Sequence, residues 1–493
     1  MLESYHWVQA ICNQESSPPV YGVNTGFGSL ARVQIPPSQS SLLSTNLIRS
    51  HAAGLGPIAD EATTRATLLL RANALAKGVS GCRPLLVDTI LEMLNQNCLP
   101  VLPMQGSCGS SGDLAPLAHL GLALIGDPLG EICWKGEILP APEALSKANI
   151  APLKLEAKDG LAITNGAQLS TALAALNLIE GKRLIQIAEV AAAMSMDALL
   201  GISRAFHPEV HKLRPYLGAR QTAANLCTLL KGSDFIDSVP EKLQDAYSIR
   251  CTPQVLGAVR DMLRFVEQQI SIEINSATDN PLILIDAKDD SPKYKDNYAF
   301  SAGMFHGEPI GMAMDSFKLA ISELASLSER RLYRLTTGSL SQLLPPGLVG
   351  KDRPGVGMIV PQTTAAALVS ENKALGWPAS ADSIPTCEDQ EDHIAMSTVA
   401  ARRARNVLEN AKRVVAIELL SASQALGFRM EEYPERSLGA GVKQAFDNVQ
   451  QTLHELTLPY PTIGDQIEAL TKSISSAKIL NNIPKLLDVG DQL

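Results

Sequence analysis

The sequence predicts a mostly α fold in which a loop-rich N-terminal region packs on a central bundle of long helices. Two observations carry this. Aromatic residues are only 4% of the chain while hydrophobic residues are 45%, so the core must be built mainly from aliphatic side chains and alanine. Closely packed helices suit such a core better than a β-sandwich does. Apolar residues also recur at helical spacing over stretches too long for ordinary surface helices. Val255, Val259, Met262, Val266 and Ile270 form one stripe, and Phe317, Ile321, Leu324 and Leu327 a second. Leu408, Ala411, Val415, Leu419, Ala422 and Leu426 form a third, with Gly427 offering a stop. Residues 167–200 are alanine-rich and apolar on both sides, as a deeply buried helix is.

The first third is punctuated by Gly22, Gly26, Gly28, Gly54, Gly56, Gly78, Gly81, Gly106, Gly109 and Gly112, which mark loops and turns between shorter helices. Residues 345–357 and 378–389 read as two further loops. The best division falls near residue 170. Residues 1–170 form an N-terminal domain, and residues 171–493 form the long-helix bundle with a C-terminal helical region. The two are expected to share contacts too extensive for separate folding.

Charge and cysteine usage exclude several classes. Lys plus Arg is 42 and Asp plus Glu is 51, so the net charge is 42 − 51 = −9, which argues against a general nucleic-acid binder. The eight cysteines form no CxxC and none has a histidine at zinc-ligand spacing. No metal is expected, and the thiols read as reduced and cytosolic, most of them core fillers. The first residues lack the basic start and apolar run of a signal peptide. No stretch approaches the roughly 20 apolar residues of a membrane span. A cytoplasmic chain with no membrane partner is the expectation.

Residues 106–120, GSCGSSGDLAPLAHL, carry the chemistry. A helix begins here, with Ser111 or Asp113 as N-cap and Pro116 inside its first turn. The preceding tripeptide Ser110-Ser111-Gly112 can cyclise. The amide nitrogen of Gly112 attacks the carbonyl of Ser110, water is lost as the ring closes, and loss of the Ser111 hydroxyl leaves an exocyclic methylene. The product, 4-methylidene-imidazol-5-one, is an electrophile made from the chain itself, with no external cofactor. Glycine permits the strained approach at the third position, and a neighbouring helix N-terminus favours charge developing on the ring.

With these residues the sequence resembles the aromatic amino acid ammonia-lyases. The resemblance rests on an ordered set of segments: YGVNTGFG from Tyr21, SHAAG from Ser50, the 106–119 segment, NGAQ from Asn165, QDAYSIR from Gln244, TDNPL from Thr278, FHGEP from Phe305, LSERR from Leu327 and QEDH from Gln390. It implies a carbon–nitrogen lyase and a mostly α fold with a central bundle of long helices. It also implies a homotetramer whose active sites draw on more than one subunit. Residue by residue, it implies that the ring from Ser110, Ser111 and Gly112 takes the substrate amine and that Tyr21 is the β-proton base. That base needs a pKa lowered by nearby positive charge. Arg250 offers a planar fork for the carboxylate, and Tyr247 and Gln244, three and six residues earlier, could share its helical face. Asn165 lies near the substrate amine and ring, and Phe305 packs close to the electrophile. His119, His306 and His393 are read as structural.

Ser50-His51 and Glu391 resemble the family's histidine-acting branch. A neutral imidazole presents one donor and one acceptor, which a His and a Glu can satisfy. A phenyl ring would leave both unmet, at about 1–3 kcal/mol each. The expected reaction is L-histidine to urocanate and ammonia. Three departures stand out: Ser110 where the family usually has alanine, Met304 where it usually has asparagine, and Cys387-Glu388-Asp389 before QEDH. Two other readings remain open, namely a lyase of the same fold acting on another aromatic amino acid or a modified histidine, and a catalytically silent scaffold paralogue.

Overall fold

The computed structural model describes every residue of the chain except 15–16, 288–296, 351–354, 459 and 493. Among the described residues there are seventeen α-helices and seven strands of two to four residues, so the fold is mostly α. Each apolar stripe lies inside a long helix: Gln168–Ala198, Thr252–Glu273, Glu308–Thr336 and Ser397–Glu432. Gly427 does not end the last of these. A Cβ there would meet nothing within 4 Å, and the next turn is anchored by buried Arg429. Its guanidinium donates to the carbonyls of Ala198, Ser341 and Gln342 at 2.9, 3.0 and 2.8 Å. Those bonds outweigh the roughly 1 kcal/mol that a mid-helix glycine costs.

The chain divides into two compact units, each gathered from three stretches. The first comprises Met1–Leu176, Gln268–Asp315 and Pro378–Arg402; the second comprises Asn177–Glu267, Ser316–Trp377 and Arg403–Leu493. The division expected near residue 170 falls close to the first crossing. Of the later crossings, those at residues 267, 315 and 402 lie inside continuous helices and leave no mark in composition, whereas the one between Trp377 and Pro378 falls where the loop read from residue 378 begins.

The first unit holds the small strands. Leu55–Ile58 pairs antiparallel with Pro103–Gln105, and Cys98–Pro100, Glu131–Trp134 and Glu137–Pro140 form an antiparallel sheet. Val8, Cys12, Val20, Val23, Ala157 and Ile283 build one of its apolar clusters. Its loops are tied by ion pairs, the buried Lys158 to Asp279 and the partly buried Arg83 to buried Asp159, each at 2.8 Å.

The second unit is held by helix-to-helix ion pairs. Glu418 receives two bonds from Arg331, at 2.6 and 2.8 Å, and one each from Ser195 and Ser328. Glu189 receives two from Arg260, both at 2.8 Å, with Thr222 and Asn225 completing its shell. All four ion-pair side chains are fully buried. Such pairs add little net stability, but losing one partner strands a buried charge.

Among the described residues no helix is long and apolar enough to cross a membrane, and no group of three metal-ligating side chains is present. The eight cysteines are unpaired. Only Cys12, Cys82 and Cys98 are buried, fewer than expected of core fillers, while Cys227 and Cys387 are exposed.

Candidate active site

The Ser110-Ser111-Gly112 turn is fixed from behind. Gly112 has φ +76°, and a Cβ on it would lie 2.1 Å from the carbonyl carbon of Gly166. Only glycine fits both the conformation and the space. The amide of Asp113 donates to the Gly166 carbonyl at 2.8 Å, and the Gly166 amide donates to the Ser111 carbonyl at 3.3 Å. Asp113 is the N-cap residue of the Leu114–Leu124 helix, but its side chain makes no cap bond. Instead the fully buried carboxylate accepts from Ser107 (2.9 Å), Thr398 (2.5 Å) and the amide and hydroxyl of Ser170 (2.8 and 3.0 Å). One carboxylate thereby pins the turn to the first turns of the Gln168–Ala198 and Ser397–Glu432 helices.

Two neighbouring segments are joined to the stretch before this turn by backbone bonds. The Gly307 amide donates to the Gly109 carbonyl at 2.9 Å and the Met396 amide to the Cys108 carbonyl at 2.6 Å. Together these segments enclose a cavity of about 470 Å³ within the first unit. Of the residues expected from the sequence, Tyr21, Ser110, Ser111, Asn165, Phe305 and Glu391 line it. Asn165 Oδ1 is buried there without a hydrogen-bond partner, while its backbone carbonyl accepts from the fully buried Arg71 at 2.6 Å. An acceptor held open in this way suits a substrate amine.

Glu391 contacts the triad directly. Its Oε1 accepts from the Ser111 hydroxyl at 2.5 Å, and its Oε2 accepts from Ser110 at 2.9 Å and Thr386 at 2.7 Å. Burial pushes this carboxyl up, yet the bonds from Ser111, Thr386 and Ser110, with the charge of His51, hold it below its ordinary value. The turn before it is unusual. Cys387, Glu388 and Asp389 all have left-handed backbone, φ +52°, +53° and +61°, a conformation costing non-glycine residues about 1–2 kcal/mol each.

The expected lowering of the Tyr21 phenol is not found within the first unit. Burial raises its pKa, Cys387 and Glu391 add to the rise, and the Gly28 amide, donating at 3.3 Å, offsets only part of it. His51 ends the Ser40–His51 helix, with its Nδ1 2.9 Å from the Ser50 hydroxyl. It is not among the cavity-lining residues, although its charge reaches Glu391. Burial lowers the His51 imidazole, against an opposing pull from the Leu47 backbone and Glu391. Gln244, Tyr247 and Arg250 belong to the second unit. There Tyr247 is 70% exposed, with the Arg250 guanidinium 4.9 Å from its ring centroid.

A family model described as aromatic amino acid lyase matches residues 1–451. The chain belongs to that family. It is 42% identical over 476 residues to a histidine ammonia-lyase of Alkaliphilus metalliredigens, covering 96% of this chain and 90% of the relative. Among solved structures it resembles a histidine ammonia-lyase from Trypanosoma cruzi, at TM-score 0.86 and 35% identity over 98% of this chain and 89% of that one. It also resembles an ergothioneine-degrading ergothionase from Treponema denticola, at TM-score 0.87 and 28% identity over 97% of this chain and 93% of that one.

Several residues of this lyase's cavity escaped the sequence reading. His306 and His393, read there as structural, line the cavity with their rings stacked at 6.0 Å and 4° apart in plane. Both lie inside matched segments, FHGEP and QEDH, which was the available signal. His306 Nδ1 accepts from the Glu308 amide at 3.3 Å, so the neutral ring carries its proton on Nε2. Thr386 had no comparable signal, since only the turn that follows it brings its hydroxyl to Glu391, whereas Cys387, which lines the cavity, belongs to the run noted as a departure from the family pattern. His119 is not among the cavity-lining residues, and its Nε2 accepts from the Gly54 amide at 3.2 Å.

Proposed function

We propose that this lyase eliminates ammonia from L-histidine, without oxidation, to give urocanate. The observation that carries the reading is Glu391, an ionised carboxylate on the same cavity wall as the Ser110-Ser111-Gly112 turn. A carboxylate there asks for a donor on the substrate side chain. An imidazole N–H supplies one, whereas a phenyl ring would leave the carboxylate unmet. His51, whose charge reaches Glu391, is assigned to the other end of the imidazole. The name of the Alkaliphilus relative supports the same substrate.

The tight Gly112–Gly166 approach, which a Cβ would fill, fits a triad that closes into 4-methylidene-imidazol-5-one. That ring supplies an electrophile that turns the substrate amine into a leaving group. The chain's own residues do the rest. Asn165 Oδ1 accepts from the amine, Phe305 packs beside it, and Tyr21 removes the β-proton. Tyr21 needs a cation to do so, because burial and its acidic neighbours keep the phenol protonated. We assign that cation, and the grip on the substrate carboxylate, to Arg250 with Tyr247 and Gln244 from a second copy of the chain in a homotetramer with shared sites. The exposure of Tyr247 (70%) and of neighbouring Leu243 (93%) supports that assignment. The eight unpaired cysteines suit a cytoplasmic enzyme. The test is ultraviolet absorbance during incubation with L-histidine, L-phenylalanine, L-tyrosine and the trimethylated betaine of histidine. Urocanate forming from L-histidine, with the others far slower, is the expected result. Turnover of the betaine or of phenylalanine in preference would overturn the assignment.

A further inference from the structure

Closing the triad removes two waters. The first takes the Ser110 carbonyl oxygen and the amide protons of Ser111 and Gly112; the second takes the Ser111 hydroxyl and Cα proton. The Ser110 side chain is untouched, because only its carbonyl is used. These losses have unequal consequences for the two oxygens of Glu391. Oε1 is bonded to the Ser111 hydroxyl, at 2.5 Å, and that hydroxyl departs. Oε2 is bonded to the hydroxyls of Ser110 and Thr386, at 2.9 and 2.7 Å, and both remain.

We infer that Ser110 and Thr386 are positioning residues for Glu391, and that triad closure unmasks Oε1 as the acceptor for the substrate's imidazole N–H. This rests on the reading of the triad and substrate given above. A carboxylate oxygen left in the cavity wall without its donor recovers the lost bond only by accepting another. With Oε2 tethered twice, the carboxylate cannot rotate to exchange its oxygens. The tether is reinforced along the backbone. The Thr386 amide donates to the Glu391 carbonyl at 3.0 Å and the Glu391 amide to the Thr386 carbonyl at 3.3 Å, with the three left-handed residues closing the turn between them. Ser110 then has a purpose of its own at a position where alanine would make the same ring. It supplies one of the two donors that aim the carboxylate.

The test uses the full chain and three variants, Ser110→Ala, Thr386→Val and Thr386→Ser. Intact mass reports whether two waters have been lost. Steady-state kinetics with L-histidine across pH reports KM and kcat separately, and calorimetry with imidazolepropionate, which lacks the amine, reports recognition of the ring alone. The inference predicts that all four proteins lose two waters. In Ser110→Ala and Thr386→Val the KM rises about tenfold while kcat falls less, and imidazolepropionate weakens in step, as losing a bond to a charged group implies. The acid limb of kcat/KM moves to higher pH, because a carboxylate with fewer donors holds its proton more tightly. The other titratable groups around Glu391 are His51, Tyr21, Cys108, Cys387, Asp392, His306 and His393. They are unaltered in each variant, so the shift reports on Glu391. Thr386→Ser restores the wild-type values. Unchanged KM, pH profile and probe binding in both hydroxyl-deleting variants would overturn the inference alone. Full, unmodified mass in Ser110→Ala only would overturn it too, by giving Ser110 a part in closing the ring. Unmodified mass in the wild type would instead overturn the reading on which the inference depends.

Discussion

Glu391 meets Ser110, Ser111 and Thr386 with two oxygens, and we propose that substrate choice is set there. If Glu391 and His51 bracket the imidazole, Glu391→Gln and His51→Leu should each lower kcat/KM for L-histidine by about ten- to a hundredfold, as expected for one bond involving a charged or buried polar group. Circular dichroism should stay native in both. His51→Leu should also narrow the preference for histidine over phenylalanine, since one unmet polar group is gone. Unchanged kinetics in both variants would show that neither side chain touches the substrate. At this scale the sequence was informative where a residue's chemistry is intrinsic. Ser110-Ser111-Gly112 can cyclise wherever it sits, and Tyr21, Asn165, Phe305 and Glu391 were placed by motif. It was silent where the role arises only from folding. Asp113 reads as a helix cap, yet its carboxylate joins three segments through Ser107, Ser170 and Thr398.

At the scale of elements, period carried the long helices and composition carried little else. An apolar stripe fixes a helix because burial of one face is a sum over many turns, so the Thr252–Glu273 and Glu308–Thr336 helices were legible. The left-handed turn at 387–389 was not, since Cys and Glu carry no signal for positive φ and a lone Asp carries only a weak one. The Thr252–Glu273 helix ends on a carboxyl whose behaviour can be measured. Burial and the nearby Asp113 push Glu273 up to about 7. A carboxyl raised in the folded state contributes stability that is complete below its unfolded value and is lost as pH rises toward 7. Glu273→Gln should therefore stabilise the protein at pH 8, on the order of 1–3 kcal/mol, and change little at pH 4. Thermal melts at the two pH values check this. An equal effect at both would show that packing, not charge, is altered.

At the scale of the molecule, the residues expected to form one site fall into two groups. Tyr21, Ser110, Ser111, Asn165, Phe305 and Glu391 line a cavity of the first unit, whereas Gln244, Tyr247 and Arg250 belong to the second. If each site is completed by another copy, inactive Tyr21→Phe and Arg250→Ala should complement when co-expressed. Mixed oligomers would contain sites holding both native residues, and about a quarter of sites restored is the ceiling for random mixing of two chains. Mixed oligomers that stay as inactive as either variant would place both residues in the same chain's site.

The claim on which everything else stands is that Ser110-Ser111-Gly112 becomes an electrophile in this chain unaided. Intact-mass spectrometry of the purified protein tests it most directly, before any assay of substrate. The expected chain is lighter than its sequence by two waters, with full sequence mass for Ser111→Ala. A wild-type chain at full sequence mass that nonetheless converts L-histidine to urocanate would contradict it.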